Sequence, residues 1–207
     1  MPLAPKFNPS FYPDSSPIMR FSQPLRSTAL TSSLFLLLGL FLHLFAQAQA
    51  LKPATSYSFT PKDGDLEYTE TKVTTEDGLQ LNAWYLPCVN KTTSNTVLFS
   101  HNGQGNMGDH MDLVYRILSN GYNVVMYDYR GFGASSGFDY KDNMYLMPQN
   151  VKDINAMINY VAKEHTGTFY LVGQGVGATL SLGVGIHNSA VRKIVADYPI
   201  LTLDDYK

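Results

Sequence analysis

Three apolar, strand-like segments of this chain each end in a glycine-rich turn, and a helical pattern follows each turn. The turns lie at 101–106 (HNGQGN), 128–137 (DYRGFGASSG) and 173–177 (GQGVG). Strands that alternate with helices predict a mostly parallel sheet with helices on both faces. In such a sheet ligands bind at the carboxyl ends of the strands, which is where these turns fall. The alternation therefore predicts an α/β fold whose site is built from the three turns.

The remaining segments fit the same architecture. An N-terminal antiparallel hairpin is predicted over 66–75 and 79–87, joined by a turn at 76–78. Further strands are predicted over 95–102, 122–129, 168–173 and 191–198, and helices over 108–120, over 148–164 and after Gly175. The last helix is apolar nearly all round, so it is expected to be buried.

Composition narrows the function classes. The net charge is −2 across 207 residues and no basic stripe occurs, so nucleic acid is not an expected partner. A lone cysteine, Cys88, excludes an internal disulfide framework. The five histidines lack the spacing of metal ligands, and we expect neither a metal nor another cofactor.

Residues 1–50 have the layout of an N-terminal extension followed by a signal peptide. An apolar run at 34–46 follows Arg20 and Arg26 and precedes small residues that suit cleavage. Residues 1–18 are rich in proline, which indicates Met19 as the true start. We therefore predict that a domain over 51–207 is exported, either secreted or periplasmic. The alternative is a membrane anchor formed by the uncleaved apolar segment.

The turn at 173–177 fits two motifs. As a nucleophile elbow, G-x-S-x-G, it carries Gly175 where the serine belongs. As a dinucleotide-binding turn, G-x-G-x-x-A, it uses Gly173, Gly175 and Ala178, with Asp197 near the ribose-binding position. The second interpretation leaves the other two turns unexplained and places the motif after a later strand than is usual. Dinucleotide binding is therefore a minor alternative.

As a set, the three turns resemble those of the α/β-hydrolases, in particular the branch of serine aminopeptidases, monoacylglycerol lipases and related esterases. The resemblance covers roughly residues 66–200. It implies that the turn at 101–106 contributes to an oxyanion hole. The implied site residues are Gly175 at the nucleophile position, oxyanion donors on Gly103, Gln104 and Val176, and supporting residues His101, Asp128, Gly173 and Gly177.

Gly175 has no side chain that could act as a nucleophile. Glycine adopts the strained backbone of an elbow freely, so the fold is expected to tolerate it. The oxyanion donors are backbone groups and are expected to survive, able to bind an acyl group without turning it over. We predict a protein derived from a serine ester, lipid or peptide hydrolase that is inactive as given.

The other members of a catalytic triad are also not found. In the resembling family they follow later strands, in the order serine, acid, histidine. Asp153 is expected on a helix surface, and four histidines are expected to be structural or solvated: His101, His110, His165 and His187. We therefore expect a truncated chain, either a fragment or a decaying gene product.

Two other functions stay open. The chain could be an active hydrolase with a non-standard nucleophile or a longer native sequence. It could instead be a non-catalytic module that binds a small acyl or ester ligand, or another protein. A membrane is an expected partner only if the N-terminal apolar segment is not cleaved.

Overall fold

The computed structural model describes residues 51–89, 92–140, 148–166 and 168–200. The predicted signal peptide and Met19 lie outside these residues, so both stay predictions. Among the described residues, no helix is long and apolar enough to span a lipid bilayer.

A six-stranded sheet forms the centre of the described chain. The strands in chain order are β1 (Lys52–Pro53), β2 (Thr69–Thr74), β3 (Gln80–Leu86), β4 (Thr96–Ser100), β5 (Gln104–Gly105), β6 (Asn123–Tyr127), β7 (Phe169–Gln174) and β8 (Lys193–Asp197). The spatial order of the sheet is β2-β3-β6-β4-β7-β8, while β1 and β5 form a separate parallel pair.

The direction of the strands confirms the predicted architecture. β2 and β3 form the predicted antiparallel hairpin, and β3 also pairs antiparallel with β6. β4 pairs in parallel with β6 on one side and with β7 on the other, and β8 extends the parallel part beyond β7. Because β4, β6, β7 and β8 run the same way, the turns after β4, β6 and β7 meet at one edge of the sheet.

Helices cover both faces of the sheet. They are α1 (Met111–Ser119), α2 (Pro148–Glu164) and α3 (Val176–Gly185). The bounds of α2 match the prediction, whereas α1 begins later than predicted because Met107–His110 form a 3-10 turn. The Asn106 side chain accepts a hydrogen bond from the Gly108 N–H and caps that turn.

The side chains of the central strands alternate between two cores. Val97 and Phe99 of β4 pack on the α1 side, in a cluster that also holds Trp84 and Met126. Leu98 points the other way, into the cluster formed with α2 and α3. The central strands are therefore buried on both faces, as expected for a parallel sheet between helices.

Helix α3 is less buried than its composition predicted. Val176, Ala178 and Leu180 are buried, but Gly183 is exposed. The helix packs mainly on β7 and β8, and β8 is the outermost strand of the described sheet, so the far side of α3 has little protein to contact. The prediction of burial all round was wrong in its extent.

Candidate functional site

The turn between β7 and α3 has the backbone of a nucleophile elbow. Gly175 lies between the last residue of the strand and the first residue of the helix, with φ 53° and ψ −117°. This φ belongs to the left-handed region, which glycine adopts freely and other residues adopt at a cost. The Gly175 N–H donates to the Asp197 C=O at 3.0 Å, which ties the turn to the end of β8.

The two flanking glycines are required by close packing. A Cβ atom on Gly173 would overlap the backbone of Gly177, and a Cβ atom on Gly177 would overlap the Ser100 carbonyl at the end of β4. Both positions therefore let α3 start directly against two strands. This packing explains the G-x-x-x-G frame of the turn without any reference to catalysis.

Two side chains flank the point where a nucleophile would project. A Cβ atom on Gly175 would lie 3.2 Å from Asn102 Cβ and 3.2 Å from Tyr198 Cε2. The Asn102 Nδ2 donates to the Tyr198 hydroxyl at 3.4 Å, so the two side chains meet beside the elbow. Tyr198 has φ 40°, an uncommon value for a residue with a side chain. Sequence reasoning missed Tyr198, although its place directly after β8 puts it at the same edge.

In the loop predicted to supply oxyanion donors, two backbone N–H groups already have acceptors within the loop. The Gly103 N–H contacts His101 Nδ1 at 3.3 Å, and the Gln104 N–H donates to Asn102 Oδ1 at 2.9 Å. Val176 is the first residue of α3, so its N–H has no acceptor within the helix. A ligand oxygen would have to compete for the two loop groups, and the oxyanion hole stays a prediction.

Residues 51–54 form an N-terminal strap that contacts the loop at 101–106 from outside. The Lys52 N–H donates to the Gly103 C=O, and the Ala54 N–H donates to the Gly105 C=O, both at 2.8 Å. The Leu51 side chain packs against Gly103 so closely that a Cβ atom there would overlap it. The positive φ of Gly103, 79°, and this contact both call for glycine. Sequence reasoning missed the strap, because a two-residue strand leaves no pattern.

His101 is a buried structural group. It is 0% exposed and packs against Tyr129 and Phe132, with ring centroids 4.4 and 5.2 Å away. Burial lowers the pKa of His101 well below its usual value, so the ring is neutral. Its Nδ1 faces the Gly103 N–H, which places the proton on Nε2. A ring sealed in this way has no contact with a reacting group at the elbow.

His110 lies near the elbow, at the end of the 3-10 turn Met107–His110. Its ring is 5.8 Å from that of His101, and its side chain lies beside Gln174, the residue before Gly175. Gln174 in turn donates to Asp197 Oδ2 at 3.1 Å. Burial lowers the pKa of His110 despite the nearby charges of Asp109 and Asp112. His110 is therefore a half-buried structural group beside α1.

Asp128 is a buried support for the turns. Its carboxylate accepts a hydrogen bond from the Tyr57 hydroxyl and another from the Met107 N–H at 2.8 Å. Burial raises the pKa of Asp128 to about 6, which outweighs the opposing effect of these hydrogen bonds. A Cβ atom on Gly133 would overlap the carboxylate, so glycine is needed at that point of the turn.

The rest of the turn at 128–137 clamps three elements together. The Arg130 guanidinium contacts Asp153 Oδ1 of α2 at 2.7 Å and Asp77 Oδ2 of the hairpin turn at 2.9 Å. The Ser135 and Ser136 hydroxyls accept hydrogen bonds from backbone N–H groups of β3. Asp153 is 0% exposed, so its predicted place on a helix surface was wrong: Arg130 holds its charge inside.

These contacts leave no nucleophile and base pair in the part of the chain described. No serine hydroxyl there is hydrogen-bonded to a histidine; Ser135 donates instead to the Asp128 C=O. Within the same residues no group of His, Cys, Asp or Glu could hold a metal ion. An apolar cavity of about 710 Å³ lies between residues 58–66 and α1, and Gly175 does not line it.

A comparison with protein families shows to which family this chain belongs. The family model described as serine aminopeptidase, S33, matches residues 91–206, more than half of the chain. The chain belongs to the S33 family, within the α/β-hydrolases. The resemblance drawn from the three glycine turns is thereby confirmed at the level of the superfamily.

Relatives support this assignment. The uncharacterized protein YfhR of Escherichia coli (strain K12) is 31% identical over 117 residues, covering 54% of this chain and 39% of that protein. The α/β hydrolase domain-containing protein WAV2 of Arabidopsis thaliana is 26% identical over 129 residues, covering 60% and 40%. The S33 chain thus spans less than half the length of these curated relatives.

Solved structures show the same fold. The esterase Pf2001 of Pyrococcus furiosus superposes with a TM-score of 0.64 at 23% identity, covering 76% of this chain and 58% of that chain. A hyperthermophilic esterase of Pyrobaculum calidifontis gives a TM-score of 0.52 at 18% identity, with 65% and 44% covered. At these identities the likeness establishes the fold of this S33 chain alone.

Proposed function

We propose that this chain is a non-catalytic member of the S33 family, derived from a serine hydrolase of esters, lipids or peptides. One observation carries the proposal: the elbow has the backbone of a nucleophile turn but carries Gly175 at its centre. Without a hydroxyl, no acyl-enzyme can form at this position. Asn102 and Tyr198 occupy the sides of the space that a nucleophile would enter, which also supports the proposal.

Steady-state hydrolysis of p-nitrophenyl esters tests the proposal. We expect the full chain to hydrolyse acetyl, butyryl and octanoyl esters no faster than the same chain after heat denaturation. Gly175→Ala is the matched variant, since it also lacks a hydroxyl and should give the same background. Saturable turnover by the native chain would overturn the proposal and support the alternative of a non-standard nucleophile.

A binding role is the second candidate. The Val176 N–H lies at the start of α3 without an intrahelical acceptor, and the turn around it has no reactive group. We propose a small acyl or ester ligand as the partner, held without turnover. Saturable displacement of a fluorescent fatty acid by octanoate would support this role, and the absence of any binding would remove it.

Export belongs to the same proposal. It rests on the apolar run at 34–46 and the small residues after it. The intact mass of the protein from its source tests it: a chain that begins at Gln49 or Leu51 supports cleavage and a secreted or periplasmic location. A mass that retains the apolar run would instead support a membrane anchor.

A further inference from the structure

The sequence contains two Asn–Gly steps, Asn102–Gly103 in the loop after β4 and Asn120–Gly121 at the end of α1. At such a step the backbone nitrogen of the glycine can attack the side-chain amide of the asparagine, because glycine has no Cβ to hinder the approach. The two groups belong to neighbouring residues, so the reaction is intramolecular and its rate depends on how the fold positions them. The structure holds the two steps in different ways.

Three contacts surround the reacting groups of Asn102 and Gly103. The Gly103 N–H donates to His101 Nδ1 at 3.3 Å. The Asn102 Oδ1 accepts a hydrogen bond from the Gln104 N–H at 2.9 Å. The Asn102 Nδ2 donates to the Tyr198 hydroxyl at 3.4 Å. The attacking nitrogen, the carbonyl oxygen and the leaving nitrogen therefore each face a different group.

Each of these groups suits one step of an amide transfer. The His101 ring is neutral, so the lone pair of Nδ1 can take the proton of the Gly103 nitrogen as that nitrogen attacks. The Gln104 N–H points at the oxygen on which negative charge develops, as a donor in an oxyanion hole does. The Tyr198 hydroxyl can supply a proton to the nitrogen that leaves. The loop thus brings a base, an oxyanion donor and an acid to one asparagine.

The second Asn–Gly step is held by backbone carbonyl groups of α1 instead. The Gly121 N–H donates to the Leu118 C=O at 3.0 Å, and a carbonyl oxygen is too weak a base to take up the proton of an amide. The Asn120 Nδ2 donates to the Arg116 C=O at 2.8 Å, which keeps this side chain turned back along the helix. The second step has the same two residue types and therefore serves as a control within the same molecule.

We propose that the loop after β4 promotes its own modification, in which Asn102 cyclises onto the Gly103 nitrogen and releases ammonia. The Gly103 nitrogen forms a bond to Asn102 Cγ while its proton passes to His101 Nδ1, and the electron pair of the C=O bond moves onto Oδ1. The pair then returns and the Cγ–Nδ2 bond breaks. The departing nitrogen takes up a proton from the Tyr198 hydroxyl and leaves as ammonia.

The remaining steps complete the balance. His101 and Tyr198 regain their starting protonation states by proton exchange with solvent, so the net change is the loss of ammonia and the formation of a succinimide. Water then opens the succinimide at either of its two carbonyls, which leaves aspartate or isoaspartate at position 102. Because Asn102 flanks Gly175, the product adds a negative charge beside the elbow. The reaction needs no side-chain nucleophile and does not depend on the proposed function.

Peptide mapping by mass spectrometry, after incubation of the full chain at neutral pH, is the first test. In the folded chain we expect Asn102 to react about tenfold or more faster than Asn120. The same chain unfolded in guanidinium chloride is the reference: there the two rates should become similar, and Asn102 should react more slowly than in the folded chain. Equal rates at the two asparagines of the folded chain would overturn the proposal. So would a reaction at Asn102 that folding slows.

Two variants test the roles of the neighbouring side chains. His101→Gln keeps an oxygen that can accept the same N–H but cannot take up its proton, so it should reduce the rate at Asn102 to that of the unfolded chain. Tyr198→Phe removes only a hydroxyl from a largely exposed side chain and should also slow the reaction. His165→Gln is the matched control, because His165 stacks on Tyr85, and it should leave the rate unchanged.

Circular dichroism shows whether each variant is folded. An unchanged rate at Asn102 in a folded His101→Gln or Tyr198→Phe chain would overturn the proposal. If His101→Gln does not fold, the comparison of the folded and unfolded forms of the unaltered chain still decides between promotion and protection by the fold.

Discussion

At the scale of single residues, the backbone at Gly175 determines what a restored nucleophile would cost. A side chain at φ 53° and ψ −117° is strained by about 1–3 kcal/mol. Its Cβ would also press on Asn102 and Tyr198 at 3.2 Å. We expect Gly175→Ser and Gly175→Ala to lower the free energy of unfolding by similar amounts in that range, measured by urea denaturation.

Gly183 supplies the control for that measurement. It lies on α3 with no atom near its missing Cβ and with an ordinary helical backbone. Gly183→Ala should therefore raise the free energy of unfolding by about 0.5–1 kcal/mol, since alanine is the better helix former. If Gly175→Ala were also stabilising, the elbow would not be strained and glycine would have no conformational reason to be there.

The buried ion pair of Arg130 and Asp153 is the second residue-scale feature with a measurable effect. Both side chains are at most 1% exposed, so water cannot solvate either charge once the pair is broken. Asp153→Ala should lower the free energy of unfolding by about 3–5 kcal/mol, because it leaves the guanidinium short of a partner. Lys163→Ala breaks a surface pair with Glu164 and should cost about 0–1 kcal/mol. Equal effects in denaturant titrations would contradict the assignment of Arg130 as a clamp.

At the scale of elements, the turn at 128–137 holds the hairpin against the parallel strands. Ser135 accepts the Asn82 N–H at 2.8 Å in place of a neighbouring strand. Ser135→Ala should lower the free energy of unfolding by about 1–3 kcal/mol, because that N–H is left without an acceptor. The free energy of opening, measured by hydrogen exchange at the Asn82 amide, should fall by the same amount. An unchanged exchange rate would show that the hydroxyl does not hold β3.

The elements themselves were largely predictable from the sequence. Apolar runs such as 168–173 and the helical period of 148–164 report burial directly, and both matched the structure. Contacts between distant segments were not predictable: Arg130 meets Asp153 and Asp77 only after folding, so Asp153 appeared to be a surface residue. Strap residues such as Lys52 act through backbone hydrogen bonds, which carry no side-chain signal.

At the scale of the whole molecule, buried titratable groups set the response to pH. Burial lowers the pKa of three histidines: His101, His110 and His165. On acidification the unfolded chain therefore binds more protons than the native chain, which destabilises the native chain. Asp128 opposes this, because its native pKa of about 6 lies above the unfolded value and the native chain gains a proton first. Because three histidines act in one direction, we expect the free energy of unfolding to fall from pH 7 to pH 5.

The Asp128→Asn variant checks whether the titration of Asp128 opposes that of the histidines. It removes the opposing titration, so the decline from pH 7 to pH 5 should become steeper by about 1 kcal/mol. Chemical denaturation at fixed pH values measures both slopes. A shallower decline in the variant would contradict the raised pKa of Asp128.

The placement of the three glycine turns was predictable, but the contacts between them were not. The three turns lie at one sheet edge, as predicted, since parallel strands bring their carboxyl ends together. The contact of Asn102 with Tyr198 beside Gly175 depends on the path of the chain after β8, which no local pattern encodes. The internal acceptors of the Gly103 and Gln104 N–H groups also emerge only from the folded loop.

Labelling with a fluorophosphonate probe, measured by intact mass, tests the central claim most directly. The probe bonds to an activated serine, and the account predicts that the native chain gains no mass, because Gly175 offers no hydroxyl. Gly175→Ser, treated alongside, shows whether the surrounding turn can activate a nucleophile once one is present. Stoichiometric addition of the probe to a serine of the unaltered native chain would contradict the account.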